Sequence, residues 1–208
     1  MREKAHTVAE VRAELERDRS FLERRAEQEA KLRARSDMLA NDAAPVVAAL
    51  HAVGVNADPW SLVNTAEPYP AAIPVLVEHV QRPYHPVNIE GMVRALTCKE
   101  AKADARIWDV LVRLLWSDLA KANPNALQFA IANALSFHAD KKRANEVAAL
   151  AQDESLGPNR IAFYAKLVKL RHPRAREILE EAAHEDGNEH ARLTLKRLLK
   201  SEGPPPTH

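Results

Sequence analysis

Between residues 125 and 200 the chain repeats itself about every 32 residues. Phe129-Ala130-Ile131 with Leu135, Ile161-Ala162-Phe163 with Leu167, and Leu193-Thr194-Leu195 with Leu199 place apolar side chains in the same register three times. Gln128, Arg160 and Arg192 stand beside them in the same order. Second helical stretches, residues 143–152 and 174–184, separate these cores. A helix–turn–helix unit of this length cannot bury its apolar face alone, so copies must stack on one another. Few other folds satisfy that pattern.

Composition agrees with an all-α fold. Ala, Leu, Glu and Arg are abundant, whereas the 208 residues include only 5 glycines and 5% aromatics. No run alternates β-branched and polar residues long enough to predict a strand. A chain of this length can bury a sizeable core, as one domain with an appendage or as one continuous array.

Residues 3–36 hold no Pro or Gly and consist mostly of strong helix formers, which predicts one helix of roughly 50 Å. Val8, Leu15 and Leu22 recur every seven residues, as do Val11 and Leu32, but Asp18 and Arg25 interrupt the second set. A coiled-coil seam needs both positions apolar over several heptads. The stretch therefore reads as a charged helix laced by Glu10 and Glu14 with Arg12 and Arg17, partly docked on the repeats. The alternative is a helix that dimerises or binds a partner. A break is expected at Asn41-Asp42, both good N-caps, followed by a helix ending near Gly54.

From there prolines punctuate the chain. In Asp58-Pro59-Trp60 the Asp caps a helix and the Pro takes its first position, where the missing N–H costs nothing. Pro70, Pro86, Pro124, Pro158 and Pro173 stand likewise just ahead of apolar-periodic stretches, so six of the 13 prolines read as helix openers. Pro74 falls in a first turn and is tolerable there. Helices are expected over 69–81, 86–97 and 104–122. Trp108 and Trp116 share a face of the last with Leu111, Val112 and Leu115, a pattern of packing between layers. Ser201-Glu202-Gly203 and the prolines after it cannot continue a helix and read as a tail. The expected organisation is a long charged helix over 1–40, helical repeats over 41–200 and the tail over 201–208.

Met92-Val93-Arg94-Ala95-Leu96, followed by Ile107-Trp108-Asp109-Val110-Leu111-Val112, resembles the HEAT-like repeat, in which a V-R-x-A-L helix precedes a second amphipathic helix. Ile131-Ala132-Asn133-Ala134-Leu135 and Phe163-Tyr164-Ala165-Lys166-Leu167 look like degenerate copies, with Asn133 and Ala165 replacing the repeat's Arg. The interval from Leu96 to Leu135 exceeds the later period, which implies an inserted turn over 98–103. The resemblance covers residues 69–200 and implies an α-α superhelix, a HEAT-like solenoid, after the long first helix. It also implies a scaffold that binds a macromolecule along a concave face lined by the second helix of each pair. Bilin lyases and alkylpurine DNA glycosylases are enzymatic members of that superfamily, and fold alone does not choose among these roles.

The residues narrow the choice. Net charge is +1, with acid and base interleaved, whereas a nucleic-acid binder concentrates Lys and Arg on one face. Lys141-Lys142-Arg143 with Arg160, Lys166, Lys169, Arg171, Arg174 and Arg176 would make such an edge, but Glu146, Asp153, Glu154, Glu177, Glu180 and Glu181 are threaded among them. A glycosylase would need a basic groove with aromatics around a catalytic Asp, and Asp109 beside Trp108 is the one adjacent pair of that kind. His184-Glu185-Asp186-Gly187-Asn188-Glu189-His190 reads as a polar turn with Asn188 capping the next helix, not as a metal site, because Gly187 separates the imidazoles. His79 and His85 flank a turn without a third ligand nearby. Cys98 is the single cysteine, expected to be an inert, partly buried thiol. No Gly-rich phosphate loop or nucleophile elbow is present.

One cysteine excludes an internal disulfide and fits a reducing compartment. The N-terminus lacks a signal-type apolar core, and the apolar stretch at 43–55 is too short to cross a bilayer. The expectation is a cytoplasmic, non-enzymatic interaction scaffold that binds a protein partner, with no cofactor, no metal, no membrane and no nucleic acid. The alternative is a lyase-like or glycosylase-like HEAT protein. Candidate partner-binding residues on the second helices are Arg113, Lys142, Arg143, Glu146, Arg174 and Glu177, with Asp109 and Glu181 beside them.

Overall fold

The computed structural model describes residues 7–8, 19–184 and 188–202. Everything ordered among them is helical, with no strand. The first helix whose bounds lie among the described residues, α1 (Arg19–Ala52), runs for 34 residues without interruption. The expected break at Asn41-Asp42 does not occur. Met38-Leu39-Ala40 before it and Ala43-Ala44 after it favour helix, and a capping side chain ends nothing when its neighbours keep helical geometry. Pro45 lies inside α1 and removes one i→i−4 hydrogen bond. The division of the chain into two compact units falls between Ala44 and Pro45.

In the first unit, i,i+4 ion pairs join Arg25 to Glu29 at 2.9 Å and Glu27 to Lys31 at 2.7 Å. Leu22, Leu32 and Met38 are exposed. The expected seam residues Val11 and Leu15, and the Glu10/Glu14 and Arg12/Arg17 pairs, lie outside the described residues.

The second unit opens with local chemistry that the sequence spells out. Gly54 adopts φ +81° after α1 ends. Gly54 N–H donates to the His51 carbonyl at 2.9 Å and Val55 N–H to Leu50 at 3.0 Å, the paired bonds of a Schellman stop. Asp58 then caps α2 (Pro59–Asn64), its Oδ1 accepting from Trp60 N–H at 2.8 Å and Ser61 N–H at 3.1 Å. Burial disfavours the ionised carboxylate, but the Ser61 hydroxyl together with these N–H groups outweighs it and holds the Asp58 pKa below the usual value.

The helices that follow are α3 (Ala72–His79), α4 (Pro86–Ala95), α5 (Arg106–Leu115), α6 (Asp118–Lys121), α7 (Phe129–His138), α8 (Ala144–Gln152), α9 (Ile161–Leu170), α10 (Ala175–His184) and α11 (Glu189–Glu202). The inserted turn is the 3-10 helix Glu100–Ala103. The helix expected over 104–122 is instead two: α5 stops at Leu115, and Ser117 caps α6 by accepting from Ala120 N–H at 3.2 Å. Ser201 and Glu202 close α11 rather than open a tail, and residues 203–208 lie outside those described.

Packing follows chain order. One row of helices is α2 on α4, α4 on α7, α7 on α9 and α9 on α11. A second row has α3 on α5 and α8 on α10, and α3, α5, α8 and α10 each also touch a first-row helix. Each contact is driven by apolar faces at helical spacing: Ile107, Trp108, Val110, Leu111 and Leu115 of α5 are buried while Asp109 and Arg113 are exposed. Side-chain bonds tie neighbours about one repeat apart, Arg113 to Gln81 across 32 residues and Asn159 to Gln128 across 31.

The α2–α4 contact depends on one glycine. Gly91 is buried in α4, and a Cβ there would stand 2.8 Å from Trp60 Nε1 and 3.0 Å from its Cδ1. Gly91→Ala gains about 1 kcal/mol of helix propensity, but overpacking of about 1–3 kcal/mol outweighs it. Urea denaturation should show a net loss of stability. In a Trp60→Ala background the same change should become neutral or stabilising, and an unchanged loss there would refute the clash.

Candidate functional site

Exposed side chains of α3, α5, α8 and α10 and of the turns before them meet in ion pairs and in hydrogen bonds that have one neutral partner. Between α3 and α5 lies a groove of about 480 Å³ whose floor includes Val75, Val77 and Val110 and whose rim carries Glu78, Gln81, Arg106, Asp109 and Arg113. Arg113 spans it, donating from Nη2 to Gln81 Oε1 at 3.0 Å, while Gln81 Nε2 donates to the Val77 carbonyl at 2.8 Å. Arg106 forks onto Asp104, with Nε at 2.9 Å from Oδ1 and Nη2 at 2.6 Å from Oδ2. That guanidinium holds the Asp104 carboxyl below its ordinary range.

Between α5 and α8 four residues converge. The Trp108 indole N–H donates to Glu146 Oε2 at 2.7 Å, which satisfies the polar tip of a ring only 5% exposed. Arg143 Nη1 meets Glu146 Oε1 at 2.9 Å, and its Nη2 lies 3.5 Å from Asp109 Oδ1. The guanidinium stands 5.3 Å from the Trp108 ring centroid, close enough for cation–π attraction. Asp140 sets this arrangement by capping the 3-10 turn Lys141–Arg143, accepting from the N–H groups of Lys142 at 2.9 Å and Arg143 at 3.2 Å.

Further along the row, Arg174 chelates Glu177 at 3.0 and 2.7 Å, and Arg176 meets Glu180 at 2.8 Å. Gln152 Nε2 donates to Glu181 Oε2 at 3.3 Å, linking α8 to α10. His172 orders the approach to α10: its Nε2 faces Asn145 Oδ1 at 3.1 Å and its Nδ1 accepts from Arg174 N–H at 3.2 Å.

Of the residues expected to bind a partner, Arg143 and Glu146 therefore come together, joined by Asp109. Arg113 lines the adjacent groove. Arg174 and Glu177 form a separate local pair, and Lys142 is exposed. Sequence reasoning missed Gln81, Arg106 and the polar role of Trp108. A buried indole always needs an acceptor, and that requirement was the available signal. The positive edge does not form as a block: Arg160 is buried, and Arg143, Arg174 and Arg176 are each matched to a carboxylate.

The remaining candidates have structural partners. Asn188 caps α11, its Oδ1 accepting from Ala191 N–H at 3.2 Å, and its Nδ2 donates to Tyr164 Oη at 3.1 Å. Residues 185–187 of that turn lie outside those described. His79 Nδ1 shares a 2.6 Å hydrogen bond with the buried Tyr84 hydroxyl, whereas His85 Nδ1 accepts from Val87 N–H at 3.2 Å. Each imidazole thus serves a different partner. Burial raises the Cys98 pKa and keeps it a protonated thiol at neutral pH. No group of three or more His, Cys, Asp or Glu among the described residues is arranged to hold a metal ion. No helix among them is long and apolar enough to cross a membrane.

Two histidines make the second unit acid-sensitive. Burial lowers the pKa of His79, Arg82 reinforces it and Glu78 opposes it. Burial also lowers that of His138, with Lys102 and Lys166 adding to the shift and the Leu96 carbonyl opposing it. The unfolded chain binds protons near the ordinary value of about 6.5, so below it the unfolded state holds more protons than the folded one. Stability should be full above pH 7 and fall as pH drops through 6.5. Urea titrations at pH 7.5 and 5.5 test this, and equal midpoints would refute it.

Compared with known proteins, the chain matches no family model, no curated protein and no solved structure.

Proposed function

We propose that the chain is a non-enzymatic interaction scaffold, a HEAT-like solenoid whose second-row helices α3, α5, α8 and α10 bind a protein partner. One observation carries this reading: the row presents a mosaic of matched charges around an apolar-floored groove. Arg113, Asp109, Arg143 and Glu146 alternate in sign within one patch, beside Val75, Val77 and Val110. Apolar floor with a polar rim is the anatomy of a transient protein interface. A phosphate backbone instead selects an unpaired run of cations.

The solenoid part of the reading rests on chain-order packing and on side-chain bonds spanning one repeat, such as Trp108 to Glu146 across 38 residues and Gln152 to Glu181 across 29. The single cysteine suits a cytoplasmic setting. Leu22, Leu32 and Met38 supply α1 with exposed apolar side chains through which a dimer would form.

Affinity capture from the native host, with and without nuclease, tests the proposal. A protein partner should survive nuclease and be lost on Arg113→Glu, which reverses one rim charge without touching the buried face. Loss of all captured material on nuclease treatment would overturn the reading in favour of nucleic acid.

A further inference from the structure

The first-row helices repeat the same apolar positions, but not with the same burial. Ile131 and Leu135 of α7, and Phe163 and Leu167 of α9, are all 0% exposed. Their register mates in α11 are Leu195, which is half-buried, and Leu199, which is 40% exposed. α11 packs on α9 and α10, and the rest of its apolar stripe opens into a shallow groove of about 400 Å³. Ala183, Arg192, Leu195, Lys196, Leu199 and Lys200 line it. Among the described lining residues the charged ones, Arg192, Lys196 and Lys200, are all cations, with Arg192 donating to the Ala183 carbonyl and 3.9 Å from Glu189.

Two features specify an occupant. Leu195 with Leu199, and Arg192 with Lys196 and Lys200, run along α11 at intervals of four, the ridges into which another helix packs. A helix packs beside the corresponding positions of α7 and of α9 as well. The cationic rim then sets the charge of the newcomer. A second copy laid face to face would oppose Lys196 and Lys200 to the same lysines, and like charges across an interface are strongly disfavoured. We propose that this face of α11 docks an amphipathic helix of a partner protein whose apolar stripe is flanked by Asp and Glu. The surface is separate from the α3–α5 groove and adds a second recognition element to the chain.

The test uses the full chain and two stapled helical peptides of about 16 residues, long enough for four turns. Both carry Leu at i, i+4 and i+7; one has Glu on the flanks and the other Lys. Fluorescence anisotropy should show the Glu peptide binding about tenfold or more tightly than the Lys peptide, with the difference shrinking in high salt. Leu199→Asp, at an already exposed position, should abolish binding of the Glu peptide. Lys196→Glu with Lys200→Glu leaves the leucines in place and should reverse the preference. Helical circular dichroism of each variant confirms folding. Equal binding of both peptides, no binding of the Glu peptide, or a sedimentation dimer dissociated by Leu199→Asp would each overturn the proposal.

Discussion

Leu167→Ala is expected to lower the unfolding free energy of the second unit by about 2–5 kcal/mol, whereas Leu199→Ala should cost less than about 1 kcal/mol. The two leucines stand 32 residues apart at matching positions of the apolar pattern in α9 and α11, so helix propensity and chemistry are held constant. Only the surroundings differ. Leu167 is 0% exposed in α9, a helix that packs on α7, α8, α10 and α11, and truncating it removes buried methyl groups and leaves a cavity among helices that relax only in part. Leu199 is 40% exposed, so part of its surface is already in water and no closed cavity follows. All three tryptophans lie between Trp60 and Trp116, so their fluorescence during urea unfolding reports the second unit. Equal losses at the two positions would mean that α9 and α11 are not copies in different surroundings, and the repeat would have to be abandoned.

That contrast also marks how far the sequence could be read. The recurrence of Phe129, Ile161 and Leu193 located three helices, and prolines with Asp58 and Gly54 marked starts and stops, because caps and turns are decided by a few adjacent residues. Asn41-Asp42 misled for the same reason: a cap signal is local, and Ala-rich, Leu-containing flanks carried α1 straight through it. In Trp116-Ser117-Asp118 the error ran the other way, since Ser117 is a good cap that the apolar periodicity of the surrounding stretch obscured. Of the second-helix candidates, Arg113, Glu146 and Glu177 lie on α5, α8 and α10, whereas Lys142 and Arg143 fall in the 3-10 turn before α8 and Arg174 in the turn before α10. Their pairings were not legible, because Trp108 meets Glu146 across 38 residues and Arg143 reaches Asp109 on a different helix. Such contacts depend on how helices stack, which no local pattern encodes.

Asn159→Leu should be the second severe substitution, because it strands polar atoms between the turns that precede α7 and α9. Asn159 and Gln128 are each only 4% exposed. The Asn159 amide donates to Gln128 Oε1 at 2.8 Å and to the Pro124 carbonyl at 3.1 Å. No buried side-chain polar atom among the described residues lacks a partner, so removing this amide breaks a satisfied network. Each acceptor left unpaired in an apolar interior costs about 1–3 kcal/mol. Gln128→Leu removes one of the two stranded groups, so the double variant should recover part of the loss, with a coupling of about 0.5–3 kcal/mol. The Pro124 carbonyl loses the same bond in both, which is why recovery should be incomplete. Additive losses in urea titrations would show that the two amides do not act on one another. The pair matters for the fold because Pro124–Gln128 leads directly into α7 and Glu154–Arg160 into α9. A bond between those two turns ties the start of α7 to the start of α9, two helices that pack on one another.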